Sequence, residues 1–286
     1  MDRLTNVVEK LCDASRKKYI NPYVYLEWPE VLDLEQWFTS PQLISLYGTE
    51  FYENLTEIEQ KRLSFYEAVN FFSLNIHGEK ALISGLSQRL YEPDKSSYSA
   101  YLHHFLDEEN KHMLHFGGFC KKYAGKIYRN KKIAFPREYE VGEEDFLFFT
   151  KVVIFEEIVD VYNWRMSQDE SLVPLARQIN LFHHQEEVRH LIFGRQIVKE
   201  LFDRYSTSWS AETLQNIRKY LQNYFVGTWA EYYNPDVYKD AGLEKPYEVR
   251  EKAFSHPQCQ KHRQEISAKC IRFFVDAGIL EEEPAL

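Results

Sequence analysis

The chain has 286 residues, of which 44% are hydrophobic and 16% aromatic, with only 11 glycines, a balance that suits long helices around a bulky interior rather than a turn-rich β protein. A net charge of −9 speaks against a nucleic-acid-binding surface, and no apolar run is long enough to cross a membrane. Met1 to Asn6 lack the apolar core of a signal peptide. Cys12, Cys120, Cys259 and Cys270 form no close pair, so they read as free thiols in a reducing cytoplasm.

The first predicted helix runs from about Thr5 to Lys18, followed by a connection rich in Pro and aromatics around Pro22 and Trp28-Pro29. Short helices are expected between Leu34 and Tyr52. Thr56-Glu57-Ile58-Glu59 is a capping box that opens a long helix reaching about Tyr91, where Pro93 and Asp94 to Ser97 break it. The next helix spans Tyr98 to Tyr123 and stops at Gly125, ahead of a basic, irregular stretch from Lys126 to Lys132. After Pro136 a third long helix covers Glu143 to Met166. A turn at Asp169-Glu170-Ser171 leads to a fourth, from Pro174 to Tyr205, whose proline suits the first turn. Ser210 caps a fifth helix ending near Tyr233, and Glu248 to Ile279 read as two further short helices. The expected architecture is all-α: a four-helix bundle over about 57–205 with additional N- and C-terminal helices, in one domain spanning 1–286.

Two of the ten histidines have Glu three residues before them, and the two pairs are Glu109/His112 and Glu187/His190. Each pair lies 30 residues after a glutamate in apolar sequence, Glu79 (109 − 79 = 30) and Glu157 (187 − 157 = 30). The repeat spacing selects Glu157 over its neighbour Glu156. One Glu from each of two helices and Glu-x-x-His from each of the other two is the pattern of a bundle that holds two metal ions. Residues i and i+3 share a helix face, so each pair can reach one centre. A lone carboxylate inside Val152 to Val159 would be costly without a cation. His183 stands at i with Glu187 at i+4 and His190 at i+7, whereas the matching position on the second long helix is Phe105. The extra donor therefore belongs to one metal. Asp160, one turn after Glu157, is placed to orient a ligating imidazole from outside.

In the order Glu79, Glu108-Glu109-x-x-His112, Glu157, His183, Glu186-Glu187-x-x-His190, the chain resembles the p-aminobenzoate N-oxygenase family of ferritin-like di-iron proteins over roughly residues 40–205. Leu46-Tyr47-Gly48-Thr49 is similar to that family as well. Glu108 and Glu186 stand where Asp is common, a departure that should not disturb metal binding. The resemblance implies a seven-residue ligand set: Glu79, Glu109 and His112 mainly on one iron; Glu157, His183, Glu187 and His190 on the other; Glu109 and Glu187 bridging. It also implies O2 reduction through a peroxo-bridged diferric species and oxygen insertion into an amine nitrogen, giving hydroxylamine, then nitroso or nitro products, as in natural-product biosynthesis.

The competing readings are a C–H hydroxylase, desaturase or other di-iron oxidase on the same scaffold, and iron storage, for which the chain is long and the seventh ligand superfluous. Manganese beside iron also fits the donor types. The substrate pocket is expected at Phe71, Asn75, Phe105 and Tyr162. The turn from Phe71 to His77 holds no Lys or Arg, so a neutral, aromatic or mixed amine is compatible. No Gly-rich nucleotide loop or iron–sulfur cysteine pattern is present, so electrons are expected from an external donor such as a reductase, from a peroxide shunt or from the substrate intermediate itself. A homodimer is compatible with this scaffold.

Overall fold

A computed structural model describes residues 3–93, 95–129 and 137–286. In chain order its helices are α1 (Arg3–Lys17), α2 (Glu50–Glu53), α3 (Glu57–Gln88), α4 (Ser99–Phe119), α5 (Glu143–Gln168) and α6 (Pro174–Tyr205). They continue as α7 (Ala211–Tyr232), α8 (Pro235–Asp240), α9 (Pro246–Ser255) and α10 (Pro257–Asp276). The long helices begin and end where local chemistry dictates. Thr56 N donates to Glu59 Oε2 at 2.9 Å and Glu59 N to Thr56 Oγ1 at 3.4 Å, closing the capping box of α3. A π-helical turn over Cys120–Ala124 extends α4 and stops at Gly125, whose φ of 67° favours a residue without a Cβ. Ser210 Oγ accepts from Thr213 N at 3.0 Å and starts α7.

Two regions differ from expectation. The segment from Leu34 to Tyr52 is mostly turns, with a 3-10 turn at Pro41–Leu43 and the short α2. The two helices expected over 248–279 are α9 and α10, and an unexpected short α8 precedes them; Pro235, Pro246 and Pro257 each sit at the start of one. Asp94 of the break after α3, residues 130–132 of the basic connection and Pro136 lie outside the described residues.

Helices α3 and α4 pack along each other, as do α5 and α6, while α1 lies across α4 and α6, α7 flanks α3 and α5, and α10 covers α5. Short connections make the partners in each pair antiparallel. Aromatic side chains fill the interior: Phe72 stacks on Phe116 with centroids 5.0 Å apart, and Phe149 meets Phe193 edge-on at 5.9 Å. The N-terminal segment is tied to the α5–α6 turn, where Val173 N donates to Trp37 O at 2.8 Å and Ser40 Oγ to Asp169 Oδ2 at 2.5 Å. The four cysteines are unpaired and buried. Among the described residues no helix is long and apolar enough to cross a membrane.

Close helix approach depends on Gly85 of α3, where an added Cβ would lie 2.1 Å from the Phe148 ring of α5. Gly85→Ala is expected to cost about 1–3 kcal/mol by overpacking. Gly117→Ala, which meets nothing within 4 Å, should instead stabilise by about 0.5–1 kcal/mol through helix propensity. Urea unfolding of the two variants checks the pair; equal effects would count against this packing.

Glu67 supplies a pH-dependent element away from the motif residues. Its Oε1 accepts from Ser45 N at 3.3 Å and from the Ser45 hydroxyl, which also meets Tyr238 OH at 2.8 Å. Burial pushes the Glu67 carboxyl up to about 7 from 4.5 against these hydrogen bonds. The folded chain thus holds this proton more tightly than the unfolded one. Its contribution is full below pH 4.5 and is lost as pH climbs through about 7. At 1.36 kcal/mol per unit the loss is roughly 3 kcal/mol. Glu67→Gln should remove that decline; chemical denaturation at pH 5 and pH 8 gives the comparison, and parallel wild-type and variant curves would contradict it.

Candidate metal centre

The four long helices bring their motif residues to one buried place. From α3 comes Glu79, from α4 Glu109 and His112, from α5 Glu156, and from α6 His183, Glu187 and His190, all almost fully buried. Three groupings each have donor atoms within 4.8 Å of one another: Glu79/His112/His183, Glu109/His112/Glu187 and Glu156/His183/Glu187. His190 Nδ1 joins them, 2.8 Å from Glu109 Oε1 and 3.1 Å from Glu187 Oε1. Gly78, whose Cβ would strike the Phe155 ring at 2.6 Å, lets α5 approach α3 beside Glu79 and Glu156.

Charge makes this arrangement unfavourable without a cation. Burial, with the neighbouring charges of Glu109 and Glu187, holds the Glu79 carboxyl well above its usual range. Burial and Glu187 raise Glu109 to about 8, and the same two causes raise Glu156. On Glu187, burial is outweighed by His190 and His183, which hold it well below the usual range. Both oxygens of Glu79 and Glu109, His112 Nδ1, His183 Nε2, Glu156 Oε2 and Glu187 Oε2 make no hydrogen bond. Buried polar atoms rarely stay so. Mixed carboxylate and imidazole donors aimed at shared points fit two hard-to-intermediate metal ions.

The outer nitrogens of the imidazoles are held in a crossed pattern. His112 Nε2 of α4 meets Glu186 Oε2 of α6 at 3.0 Å, and His190 Nε2 of α6 meets Glu108 Oε2 of α4 at 2.8 Å. Lys111 Nζ donates to Glu186 at 2.7 Å and Arg189 Nη2 to Glu108 at 2.7 Å. Despite burial, His190 and Arg189 bring Glu108 down to about 2. Glu186 faces a neutral imidazole, since burial lowers His112, and there burial outweighs Lys111 and raises the carboxyl to about 7. Each such partner fixes which nitrogen faces inward. His183 Nδ1 contacts the Asn163 side-chain amide at 2.7 Å, while Asn163 Oδ1 has no partner. An amide turned by a half-circle offers that oxygen to a His183 N–H, leaving Nε2 free to face the cluster.

Two sequence expectations need correcting. Glu157 does not join the cluster: its Oε1 bonds Arg195 of α6, and Lys269 of α10 lies 3.8 Å from Oε2. One residue turns a helix by about 100°, so only one of the two adjacent glutamates can face inward, and it is Glu156. The equal spacing of 30 selects the outward-facing neighbour, because Arg195 takes Glu157 on one face of α5 while Phe155 packs on Gly78 of α3. Asp160 orients no cluster imidazole; it holds His184 Nδ1 at 2.6 Å.

The residues expected to line a pocket fall in two places. Phe71 stacks on Tyr162 with centroids 5.4 Å apart, and Tyr162 OH meets His262 Nε2 at 3.2 Å. Phe105 lies flat on His190 at 3.9 Å. Asn75 Nδ2 donates back to Phe71 O at 2.8 Å, and its Oδ1 has no partner. Sequence reasoning missed Asn163 and the holding role of Glu108 and Glu186. The doubled Glu-Glu and a cation before each histidine, Lys111 and Arg189, were the available signals.

A family model described as p-aminobenzoate N-oxygenase AurF matches residues 2–278. No curated protein matches significantly. Among solved structures, an R2-like ligand-binding oxidase with aerobically reconstituted metal cofactor after photoconversion aligns with a TM-score of 0.54 and 14% identity, covering 98% of this chain and 93% of that one. A valine-to-alanine mutant of R2-like ligand-binding oxidase with anaerobically reconstituted Mn/Fe cofactor aligns at 0.53 and 15%, covering 98% and 94%. These likenesses establish the ferritin-like fold.

Proposed function

The chain belongs to the p-aminobenzoate N-oxygenase AurF family, and from that premise we propose that it is a di-iron oxygenase that inserts oxygen into an amine nitrogen. The observation that carries this reading is the buried meeting of four carboxylates and three imidazoles, whose inward atoms lack hydrogen-bond partners apart from His190 Nδ1 and Glu187 Oε1, which meet each other at 3.1 Å. Glu79, Glu109 and His112 would serve mainly one ion, and Glu156, His183, Glu187 and His190 the other. Glu109 and Glu187, each close to His190 and to His112, would be the carboxylates shared by both ions. A bound iron pair supplies O2 activation and stores two electrons. The protein fixes the imidazoles through Glu186, Glu108 and Asn163. It also excludes water with Phe105 against His190 and with Phe116, edge-on to His183 at 4.9 Å. Overall, an amine, O2, two electrons and two protons give a hydroxylamine and water, and repetition gives nitroso and nitro products. His183 would give the ion beside Glu156 a second imidazole, a neutral donor of intermediate softness beside the carboxylates.

Manganese in one position is a second reading, favoured by the carboxylate-rich donor set and by the Mn/Fe cofactor of the structurally similar oxidase. Metal-free protein titrated anaerobically with Fe(II), then mixed with O2 and a panel of arylamines, tests both readings by metal analysis and product mass. Two irons per chain and amines that gain oxygen support the proposal. Oxygen consumption with every amine unchanged shifts the activity to another oxidation, and failure to bind metal in a fixed ratio removes the centre altogether.

A further inference from the structure

On the far side of α5 from the metal centre, α6 and α10 form a surface groove of about 410 Å³ lined by Arg195, Lys199, Lys269, Arg272, Phe273 and Asp276, with Ala277 at its end. Four cations in one groove stand out on a chain whose net charge is −9. Part of that charge is neutralised locally: Arg195 bonds Glu157, and Lys199 lies 2.9 Å from Asp203. Lys269 stays exposed at 3.8 Å from Glu157, and exposed Arg272 has no carboxylate partner among the described residues. Beneath the groove Arg195 lies over the half-buried Phe273 ring, its Cζ 5.2 Å from the centroid. Arg195 and Lys269 thus connect the groove to Glu157, the covalent neighbour of Glu156 in the cluster.

We propose that this groove is the docking site of an acidic one-electron carrier protein. The inference rests on the oxygenase reading above, because that reaction consumes two electrons and the sequence holds no nucleotide loop or iron–sulfur pattern to deliver them. Charge complementarity selects the partner class: a cationic groove on an acidic protein steers an acidic carrier to one face. Two successive carriers would each give up one electron, together the two that the oxygenation consumes. Arg195 bonds Glu157, whose neighbour on α5, Glu156, belongs to the cluster, so a carrier docked in the groove lies on the α5 side of the centre. The exposed lysine and arginine and the shallow aromatic floor suit a transient protein contact. A small anion here would keep much of its water.

The test uses an oxidised and a reduced plant-type [2Fe–2S] ferredoxin, an acidic probe, with the full-length protein. The double substitution Lys269→Glu/Arg272→Glu reverses the two least engaged cations without touching Arg195, whose loss would leave Glu157 unpaired. Affinity for oxidised ferredoxin at low salt should fall roughly tenfold or more, and Lys219→Glu on α7 should leave it within about twofold. In metal-loaded protein the ratio of ferredoxin-driven to dithionite-driven reduction should fall by the same factor. Undiminished ferredoxin binding in the double variant, or no binding to the wild type, overturns the proposal. So does loss of inorganic phosphate binding without loss of ferredoxin binding, which assigns the groove to small anions. Because the binding measurement needs no metal, failure of the metal centre is seen separately, as absent iron uptake with ferredoxin binding intact.

Discussion

Glu156→Gln is expected to abolish amine oxygenation and to weaken one of the two metal ions by on the order of 100-fold, the upper end of what even an outer partner of a metal contributes. Glu157→Gln should leave the metal count at two. The reasoning is spatial. Glu156 Oε2 is buried without a hydrogen bond among the cluster atoms, and Glu156 groups with His183 and Glu187. Glu157 is already bonded to Arg195 and lies near Lys269. Both substitutions keep the side-chain volume, so neither opens a cavity. The Glu157 variant still has a cost, since Arg195 loses the charge of its partner. For a pair that is partly exposed on the arginine side, about 1 kcal/mol is reasonable. The two variants therefore separate by kind of readout: metal analysis moves for Glu156 and thermal stability moves slightly for Glu157. The reverse pattern, metal lost from Glu157→Gln and kept in Glu156→Gln, would return the ligand to the position chosen by sequence spacing.

That contrast marks how far the sequence could be read. The four long helices were legible because each has explicit punctuation: the Thr56 capping box, Gly125, the Asp169-Glu170-Ser171 turn and Pro174. The Glu-x-x-His pairs were legible because a helix places i and i+3 on one face whatever else surrounds it. His183 followed from the same periodicity. The choice between Glu156 and Glu157 depends on the rotation of α5 relative to its neighbours, which Phe155 against Gly78 and Arg195 against Glu157 set across the bundle. No local spacing encodes that. Asp160 was misread for the same reason: it follows the outward-facing Glu157 and so meets His184 rather than a cluster imidazole. The crossed bonds Glu108–His190 and Glu186–His112 join residues 82 and 74 positions apart, and only the packed structure brings them together.

Loading the centre should raise the thermal midpoint by roughly 10–20 °C. A ligand held at 100 times its dissociation constant stabilises by about 2.7 kcal/mol per site, so two independent ions give about 5 kcal/mol, and each kcal/mol moves a chain of this size by about 2–4 °C. The physical source is specific to this interior. Without cations Glu79, Glu109 and Glu156 are all driven above the usual carboxylate range by burial and by neighbouring carboxylates, Glu187 being common to all three, and Glu187 retains its charge only through His190 and His183. His190 is held protonated by the surrounding carboxylates, although burial alone would lower it. Metal binding must displace those protons, because only ionised carboxylates and a neutral imidazole can ligate. Protons and metal therefore compete, and the gain in midpoint should be larger at pH 8 than at pH 6. Thermal scans with and without Fe(II) under anaerobic conditions at both pH values give the difference, and titration in weak buffer gives the protons released. An unchanged midpoint at either pH would mean that the buried carboxylates are satisfied without metal. A gain that grows on acidification would mean that the ions bind elsewhere, through groups already charged at neutral pH.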